Sequence, residues 1–554
     1  MIRALHRAAL FLIPVAAVGL SVRTAASDTL QPAATAASSE SYAKAAAQWW
    51  ADITALAGDS TEGRLTGSAG YMRAARYVIS RFRSEGLRPA AIGGYLQPVA
   101  LEQQTVAQAR STAELRAAAS AALPLHVGED ILISASGAPR PAHIVAPLVF
   151  IGYGLHLPDQ RYDELAGMEL KGKIAVVLSG GPSNISGPIK STARFARARV
   201  LGALGMVGMI TLTTPKQIEI PWARQRLLAG QAGMYLSDPA LRDTPDGFFS
   251  ASIDPDKSEI LFTGSGHTFA ELCALADASK PLPRFDLARQ LSASVVARRE
   301  RLSSPNLVAK LPGSDQSPGA EYVVVSAHLD HLGIGEPING DRIYNGAMDD
   351  ASGVATVLDI AHRLKSATPP RRSVLFVIFT AEEKGLLGSH YFAARPTVPR
   401  HSIVADLNFD MPLPLWPLKS VLAPGADESS LGADAAAVAK ARGLILVPDP
   451  LPDRNVFIRT DQFSFVREGI PALAFKFGFA KDTPEFKIEH EWRATRYHSP
   501  SDDLEQPGVL REEAAKLDAY VAALASRIAN ADSRPTWLPG SLFGRDGNSS
   551  QTVR

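Results

Sequence analysis

The sequence predicts an α/β fold, a three-layer sandwich with a mostly parallel central sheet, into which a β-rich domain is inserted. Three observations predict it. From residue 294 onward, apolar runs with the length of buried strands alternate with amphipathic helical segments, a pattern typical of parallel sheets covered on both faces. Residues 128–275 are instead dominated by short β-type runs. At 554 residues, the chain is long enough for two or three domains.

The first 26 residues have the pattern of an export signal. Arg3, His6 and Arg7 make a basic start, residues 8–20 form an apolar core, and residues 24–26 offer small side chains for cleavage. The apolar run is too short to span a bilayer comfortably, so we expect cleavage rather than a retained anchor, and no stable membrane span afterwards. These observations predict an exported protein, periplasmic or extracellular.

The remaining elements follow from periodicity and from turn residues. The predicted parts are residues 27–127 as the N-terminal part of the main domain, 128–275 as the insert, 276–531 as the main domain and 532–554 as a tail. Predicted helices are 42–56, 71–85, 191–204, 352–365, 385–395 and 508–529, and predicted strands are 130–134, 146–151, 173–178, 322–327, 374–379, 402–409 and 472–477. The tail is polar and contains Pro and Gly from Arg534 onward, so we expect it to be loosely held.

Composition excludes several classes of function. The formal net charge is +1 and no long basic run is present, so we expect no nucleic-acid partner. The single cysteine, Cys273, excludes an internal disulfide and a cysteine-rich metal site. Any metal site of this chain must therefore use His, Asp and Glu.

Histidines and carboxylates gather at the ends of the predicted strands. They are His328 and Asp330 after the first main-domain strand, Asp349 before the next helix, Glu382 and Glu383 after the second strand, Asp410 after the third, and His498 near the C-terminal end. In α/β folds the carboxyl ends of parallel strands meet at one edge of the sheet. Two adjacent buried carboxylates are costly unless a cation balances them. This ligand set suits zinc or a similar divalent ion, and the surplus of carboxylates suggests two ions close together.

Five short motifs appear in the order used by the M28 family of dizinc peptidases. They are HLD at 328–330, GAMDDASG at 346–353, TAEE at 380–383, NFDM at 408–411 and YHS at 497–499. The resemblance extends from about Trp49 to Ala529 and implies a fold like that of zinc peptidases of the phosphorylase/hydrolase type. Within 128–275, the motifs VFIGYG at 149–154, YD at 162–163 and LKGKI at 170–174 resemble a protease-associated (PA) domain.

The resemblance implies a role for each matched residue. His328 and Asp410 would hold one zinc ion, Glu383 and His498 the other, and Asp349 would bridge both. Glu382 would be the general base, Asp330 would fix the tautomer of His328, and the Tyr497 hydroxyl would support the carbonyl oxygen of the substrate. The peptide bond after Asp349 would be cis. By contrast, we expect His331 and His390 to have packing or hydrogen-bonding roles, and Asp350 to lie behind the metal ligands.

The implied activity is that of an exported exopeptidase with two zinc ions per chain, which uses a bridging hydroxide to remove N-terminal residues from peptide substrates. Three alternatives stay open: a carboxypeptidase of the same family, a single-zinc enzyme like glutaminyl cyclase, and a metal-free binding module. Substrate polarity is also open, because both acidic and basic candidates exist for holding a chain end; they are Asp461, Glu485 and Glu489, and Arg454, Arg459 and Arg493. The sequence does not indicate an oligomeric state.

Overall fold

The protein has a mixed α/β fold with two large sheets. The computed structural model describes residues 39–117, 120–218, 220–315, 321–454 and 456–544. The predicted export signal at 1–26 lies outside these residues. Within the described part of the chain, no helix combines the length and apolar character needed to cross a bilayer.

Helices pack around the sheets at intervals along the whole chain. They are α1 Ser39–Ala57, α2 Ala69–Ser84, α3 Gly187–Ala203, α4 Trp222–Leu228, α5 Phe269–Asp277, α6 Ser352–Ser366, α7 Leu387–Ala394, α8 Leu431–Ala441, α9 Gln462–Arg467, α10 Pro484–Thr495 and α11 Arg511–Asn530. The six predicted helices are all present, with ends shifted by a few residues. The helices α4, α5, α8, α9 and α10 were not predicted from the sequence, because they are short and lack a long apolar period.

The larger sheet has ten strands. Numbered along the chain, they are β1 Arg88–Pro89, β2 Leu96–Val106, β3 Gly233–Leu236, β4 Ala297–Leu311, β5 Tyr322–His328, β6 Ser373–Phe379, β7 Ile403–Phe409, β8 Ser420–Leu422, β9 Ile445–Val447 and β10 Ala472–Phe477. Their spatial order is β3-β2-β4-β6-β5-β7-β10-β8-β9, with β1 beside β4. The central strands β6, β5, β7 and β10 run parallel, while β4 and β8 join them antiparallel on either side.

The central strands are buried on both faces. Every residue of β6 is buried, and Val323 and Val325 of β5 enter one hydrophobic core while Val324 enters another. The first core includes Trp49 of α1 and Tyr520 of α11, whereas the second includes side chains of α7 and α9. Because successive side chains of a strand alternate between faces, a continuous apolar run is what a strand between two cores requires.

The second sheet has eight strands and its own core. The strands are Thr112–Ala117, Ser120–Leu125, Ile131–Ile133, His143–Phe150, Ile174–Leu178, Gly208–Leu212, Phe249–Ile253 and Phe285–Ser294. This sheet begins before and ends after the predicted insert at 128–275. The strands Thr112–Ala117 and Phe285–Ser294 were not predicted, because they are partly exposed and carry no continuous apolar run. In addition, β3 comes from this stretch of chain but pairs with β2 in the larger sheet.

The start of the tail is packed, which corrects the expectation that it is loosely held from Arg534 onward. The indole of Trp537 donates a hydrogen bond to the carbonyl of Gly469 at 3.1 Å. Its ring lies 5.6 Å from that of Phe543, and both side chains pack against the core that contains α9. These two aromatic side chains attach residues up to 544 to the main domain.

Candidate metal centre

Three neighbouring parallel strands bring the predicted ligands to one edge of the sheet. β5 ends at His328, which lies opposite Phe379 at the end of β6, and Glu382 and Glu383 follow β6. β7 ends at Phe409, directly before Asp410. Asp349 precedes α6, and His498 follows α10. The topology therefore places residues from five separate segments together, as expected for the carboxyl edge of a parallel sheet.

The Asp349 carboxylate lies between the imidazoles of two histidines. Its Oδ1 is 3.4 Å from Nε2 of His328, and its Oδ2 is 3.4 Å from Nε2 of His498. The Asp502 carboxylate holds the backbone here by accepting the N–H groups of Met348 and Asp349 at 2.9 and 3.0 Å. The peptide bond between Asp349 and Asp350 is cis. Each oxygen of Asp349 thus points to a different histidine, which creates two possible metal positions.

The first position contains His328, Asp349 and Asp410, which offer ligand atoms within 4.8 Å of one another. Nδ1–H of His328 donates to the backbone carbonyl of Asp330 at 3.1 Å, so its Nε2 is directed at the site. Both this Nε2 and Oδ1 of Asp410 are buried without a hydrogen-bond partner among the described residues. Buried polar atoms without partners are costly, and a metal ion would satisfy them.

The second position contains Asp349 and Glu383, whose ligand atoms lie within 4.8 Å of each other and of one from His331, and His498 lies beside both carboxylates. Oε2 of Glu383 is 3.2 Å from Nε2 of His498, similar to the 3.4 Å between His498 and Asp349. Ligand atoms about 2 Å from a tetrahedral zinc ion are roughly 3.3 Å apart, so these spacings suit such an ion. Burial lowers the pKa of His498, but Glu383 and Asp349 outweigh it and raise that pKa to about 9. The carboxylates therefore favour positive charge at this position.

The pKa values of the two adjacent glutamates are shifted in opposite directions. Burial raises the pKa of Glu382, and the charges of Asp410 and Glu383 raise it further, so that it lies well above its ordinary value although His328 opposes them. Burial also acts on Glu383, but His498 and His331 overcome it and lower the pKa of this carboxyl. One acid of the pair is thus held ionised while the other binds a proton readily, a division typical of a ligand beside a general base.

The Asp330 carboxylate does not make the contact predicted for it. Its Oδ2 accepts the hydroxyl of Thr66 at 2.8 Å, and its Oδ1 accepts the backbone N–H of Glu382 at 3.0 Å. The backbone carbonyl of Asp330, and not its side chain, fixes the His328 tautomer. The carboxylate instead supports the segment that carries the glutamate pair.

Tyr497 lies against the second metal position. Its ring stacks on the His498 imidazole with centroids 3.9 Å apart, and the Arg493 guanidinium lies 5.0 Å from the Tyr497 ring. Burial raises the pKa of Tyr497 well above its ordinary value, so the phenol stays protonated and can donate a hydrogen bond.

Among the candidates for holding a chain end of the substrate, Glu489 already forms ion pairs with Arg454 at 2.7 Å and with Arg493 at 2.5 Å. The Asp461 carboxylate is buried, and burial raises its pKa to about 7.

Arg64 was not among the site residues predicted from the sequence. The guanidinium is fully buried and donates to five carbonyls, those of Leu56, Leu329, Asn345 and Gly346 at 2.6–2.9 Å and that of Asp349 at 3.4 Å. Two of these carbonyls adjoin the segments of His328 and Asp349. The arginine lies between two turn-forming glycines, Gly63 and Gly67, and this was the sequence signal that could have identified it.

His331, assigned only a packing or hydrogen-bonding role, contacts Glu383 at 2.6 Å.

The fold and the group of buried histidines and carboxylates were compared with those of known proteins, and a family model matches part of the chain. The sequence model of Peptidase family M28 matches residues 306–523, which include every predicted metal ligand. A probable zinc metalloprotease of Pyrenophora tritici-repentis is 34% identical over 105 residues, 19% of this chain and 23% of that protein. The probable lipoprotein aminopeptidase LpqL of Mycobacterium tuberculosis is 27% identical over 231 residues, 38% of this chain and 43% of that protein.

A solved structure extends the likeness beyond the matched segment. The aminopeptidase from Aneurinibacillus sp. strain AM-1 has a TM-score of 0.51 at 20% identity, over 89% of this chain and 96% of that chain. At this identity the likeness shows the fold alone. The chain spans 23% and 22% of the length of the first two curated relatives. Residues 306–523 thus match the M28 peptidase family model, and a probable zinc metalloprotease is among the relatives that the chain resembles.

Proposed function

We propose that the protein is an aminopeptidase that uses two zinc ions to remove N-terminal residues from peptides. One observation carries this proposal: the two oxygens of Asp349 lie 3.4 Å from two different histidines, each with its own second carboxylate nearby. His328, Asp349 and Asp410 would hold one ion, and Asp349, Glu383 and His498 the other. The ions would supply Lewis acidity, which polarises the scissile carbonyl and lowers the pKa of the attacking water.

Glu382 is the general base in this proposal. Burial, together with the charges of Asp410 and Glu383, raises the affinity of its carboxylate for a proton, and its backbone N–H donates to Asp330. The carboxylate takes a proton from the attacking water and later gives it to the leaving amine, which balances the hydrolysis. Glu383 is a weaker base for this step, because His498 and His331 lower its pKa and so reduce the affinity of its carboxylate for a proton.

The phenol of Tyr497 would donate a hydrogen bond to the carbonyl oxygen as negative charge develops there. Its stacking on His498 keeps the ring beside the second metal position. Because Tyr497 and His498 are consecutive, one turn after α10 supplies both a metal ligand and a hydrogen-bond donor.

The finer organisation is also proposed. Helices and cores on both faces of the larger sheet support a three-layer sandwich, and the second sheet with its own core supports a PA-like insert. The basic start and apolar run of residues 1–26 support a signal that is removed on export to a periplasmic or extracellular site. A relative named as a lipoprotein aminopeptidase agrees with such a location.

Zinc content and substrate polarity test the proposal together. The purified protein is expected to hold about two zinc ions per chain and to release p-nitroaniline from aminoacyl p-nitroanilides. Matched N-acetylated substrates are expected to be inert, and a chelator should abolish turnover until zinc is restored. Cleavage of N-blocked peptides at a free carboxyl end would indicate a carboxypeptidase instead. One zinc ion with cyclisation of N-terminal glutamine would indicate a glutaminyl cyclase, and a protein without zinc or turnover would indicate a binding module.

A further inference from the structure

Glu383 lies between two histidines, of which only His498 has a predicted metal role. Oε2 of Glu383 is 3.2 Å from Nε2 of His498, while Oε1 is 2.6 Å from Nδ1 of His331. A carboxylate oxygen only accepts, so the proton of the second contact belongs to Nδ1 of His331. One oxygen of Glu383 is therefore fixed by a hydrogen bond, and the other is left for the metal position that it shares with His498.

The surrounding chain is built to hold the His331 ring. The residue is completely buried, and its backbone N–H donates to the carbonyl of Arg64 at 3.3 Å. A Cβ atom on Gly346 would lie 2.6 Å from Cγ of His331, so the glycine, whose φ is +63°, leaves the space that the imidazole fills. Fixed backbone and tight packing are the support that a side chain needs in order to position a ligand accurately.

We propose that His331 is a positioning residue for the second metal position, where its Nδ1–H holds Oε1 of Glu383 so that only Oε2 binds the ion. This inference rests on the proposed dizinc function. His331 approaches Asp349 on the Oδ2 side, at 4.0 Å, which is the oxygen that faces His498. Its influence is therefore concentrated on one of the two ions. Loss of such a hydrogen bond to a ligand costs about 10- to 100-fold in metal affinity.

Three substitutions at residue 331 separate this role from simple packing. His331→Leu and His331→Gln remove the donor at the Nδ1 position, since the glutamine amide lies near the place of Nε2. His331→Asn places an amide N–H near the place of Nδ1 and should restore the hydrogen bond to Glu383. His390→Leu is the matched control, because it also replaces a buried histidine by leucine.

The test measures zinc affinity of the full-length protein by competition with a chelating indicator, and the visible absorption of the cobalt-substituted protein. We expect His331→Leu and His331→Gln to lose about 10- to 100-fold in affinity for one ion and little for the other. His331→Asn and His390→Leu should stay close to the wild type. If the leucine variant does not fold, the glutamine variant alone decides.

Unchanged affinities in His331→Gln, or equal weakening of both ions, would overturn the positioning role. A wild-type protein that binds two ions and cleaves peptides while the variants behave normally would refute this inference only. A wild-type protein that binds no zinc or cleaves no peptide would instead refute the proposed function. The two failures are thus distinguishable from the wild-type data alone.

Discussion

The Asp330 carboxylate accepts the backbone N–H of Glu382 at 3.0 Å, and the same carboxylate is also bound by Thr66. Asp330 therefore acts on the site through two different groups. Its backbone carbonyl orients His328, while its side chain positions the residue proposed as the general base. A substitution that removes only the side chain should separate these two effects.

Asp330→Ala should lower kcat more than it lowers metal affinity. Without the carboxylate, the backbone at Glu382 is free to shift, and a displacement of about 1 Å can cost up to about 100-fold in rate. The backbone carbonyl that orients His328 remains, so zinc binding at the first position should change little. Zinc affinities and single-turnover rates check this, with Asp330→Asn as the variant that retains an acceptor for Glu382. Selective loss of the ion at His328 would show instead that the carboxylate orients the histidine.

Glu382→Gln should abolish most turnover and leave both metal ions bound. A general base contributes about 100- to 10,000-fold to the rate, and the amide cannot take a proton from water. Residual kcat and zinc per chain are the two measurements. Glu505→Gln, at an exposed position, is the matched control for the same chemical change. Normal turnover in Glu382→Gln would remove Glu382 from the proposed mechanism.

The parallel centre of the larger sheet was predictable because its strands lie between two cores. Such strands must be apolar throughout, as the whole of β6 is, and a run of that kind is visible in a single sequence. The long pair β2 and β4 was not predictable. β4 begins with exposed charged residues, and its partner is separated from it by the entire second sheet. Pairing across that distance depends on the folded insert, which no local pattern reports.

The proposed ligands of the site were easier to predict than the residues that support them. Asp349 and Glu383 stand in short motifs with ordered spacing, whereas Arg64 reaches the site from more than 260 residues away in sequence to bind the carbonyl of Leu329. His331 directly follows Asp330, so its sequence position alone gave no reason to expect its contact with Glu383. Contacts of this kind are made by tertiary packing and leave no periodic signal.

His390 should make the fold sensitive to acid. Burial, together with the charges of Arg467 and Arg199, lowers the pKa of His390 from 6.5 to about 4, although Asp243 opposes the shift. Above pH 6.5 the imidazole is neutral in both the folded and the unfolded state. Between pH 6.5 and 4 the unfolded state binds a proton that the folded state does not, so stability falls by up to about 3 kcal/mol.

The melting temperature of the wild type should therefore drop more between pH 7 and pH 4.5 than that of His390→Gln, which cannot bind the proton. Thermal unfolding across this pH range is the measurement. His362→Gln, at an exposed position on α6, is the control and should follow the wild-type curve. Parallel curves for the wild type and His390→Gln would show that His390 does not cause the acid sensitivity.

Arg64→Met should destabilise the protein and weaken its metal site together. The substitution fills much of the same volume but removes the donor that Arg64 supplies to five buried carbonyls. The carbonyls of Leu56 and Gly346 keep a second donor, from Thr61 and Ala351, whereas each carbonyl left unsatisfied costs about 1–3 kcal/mol. Arg73→Met is the matched control, because Arg73 is 36% exposed in its ion pair with Glu62 and such pairs contribute about 1 kcal/mol or less. Melting temperature and zinc affinity should both fall in Arg64→Met and stay near wild type in Arg73→Met.

The carbonyls of Leu329 and Gly346 adjoin the segments of His328 and Asp349, so the loss of stability and the loss of zinc affinity have one cause. A destabilised Arg64→Met protein with unchanged zinc affinity would show that Arg64 supports the fold without positioning the ligands.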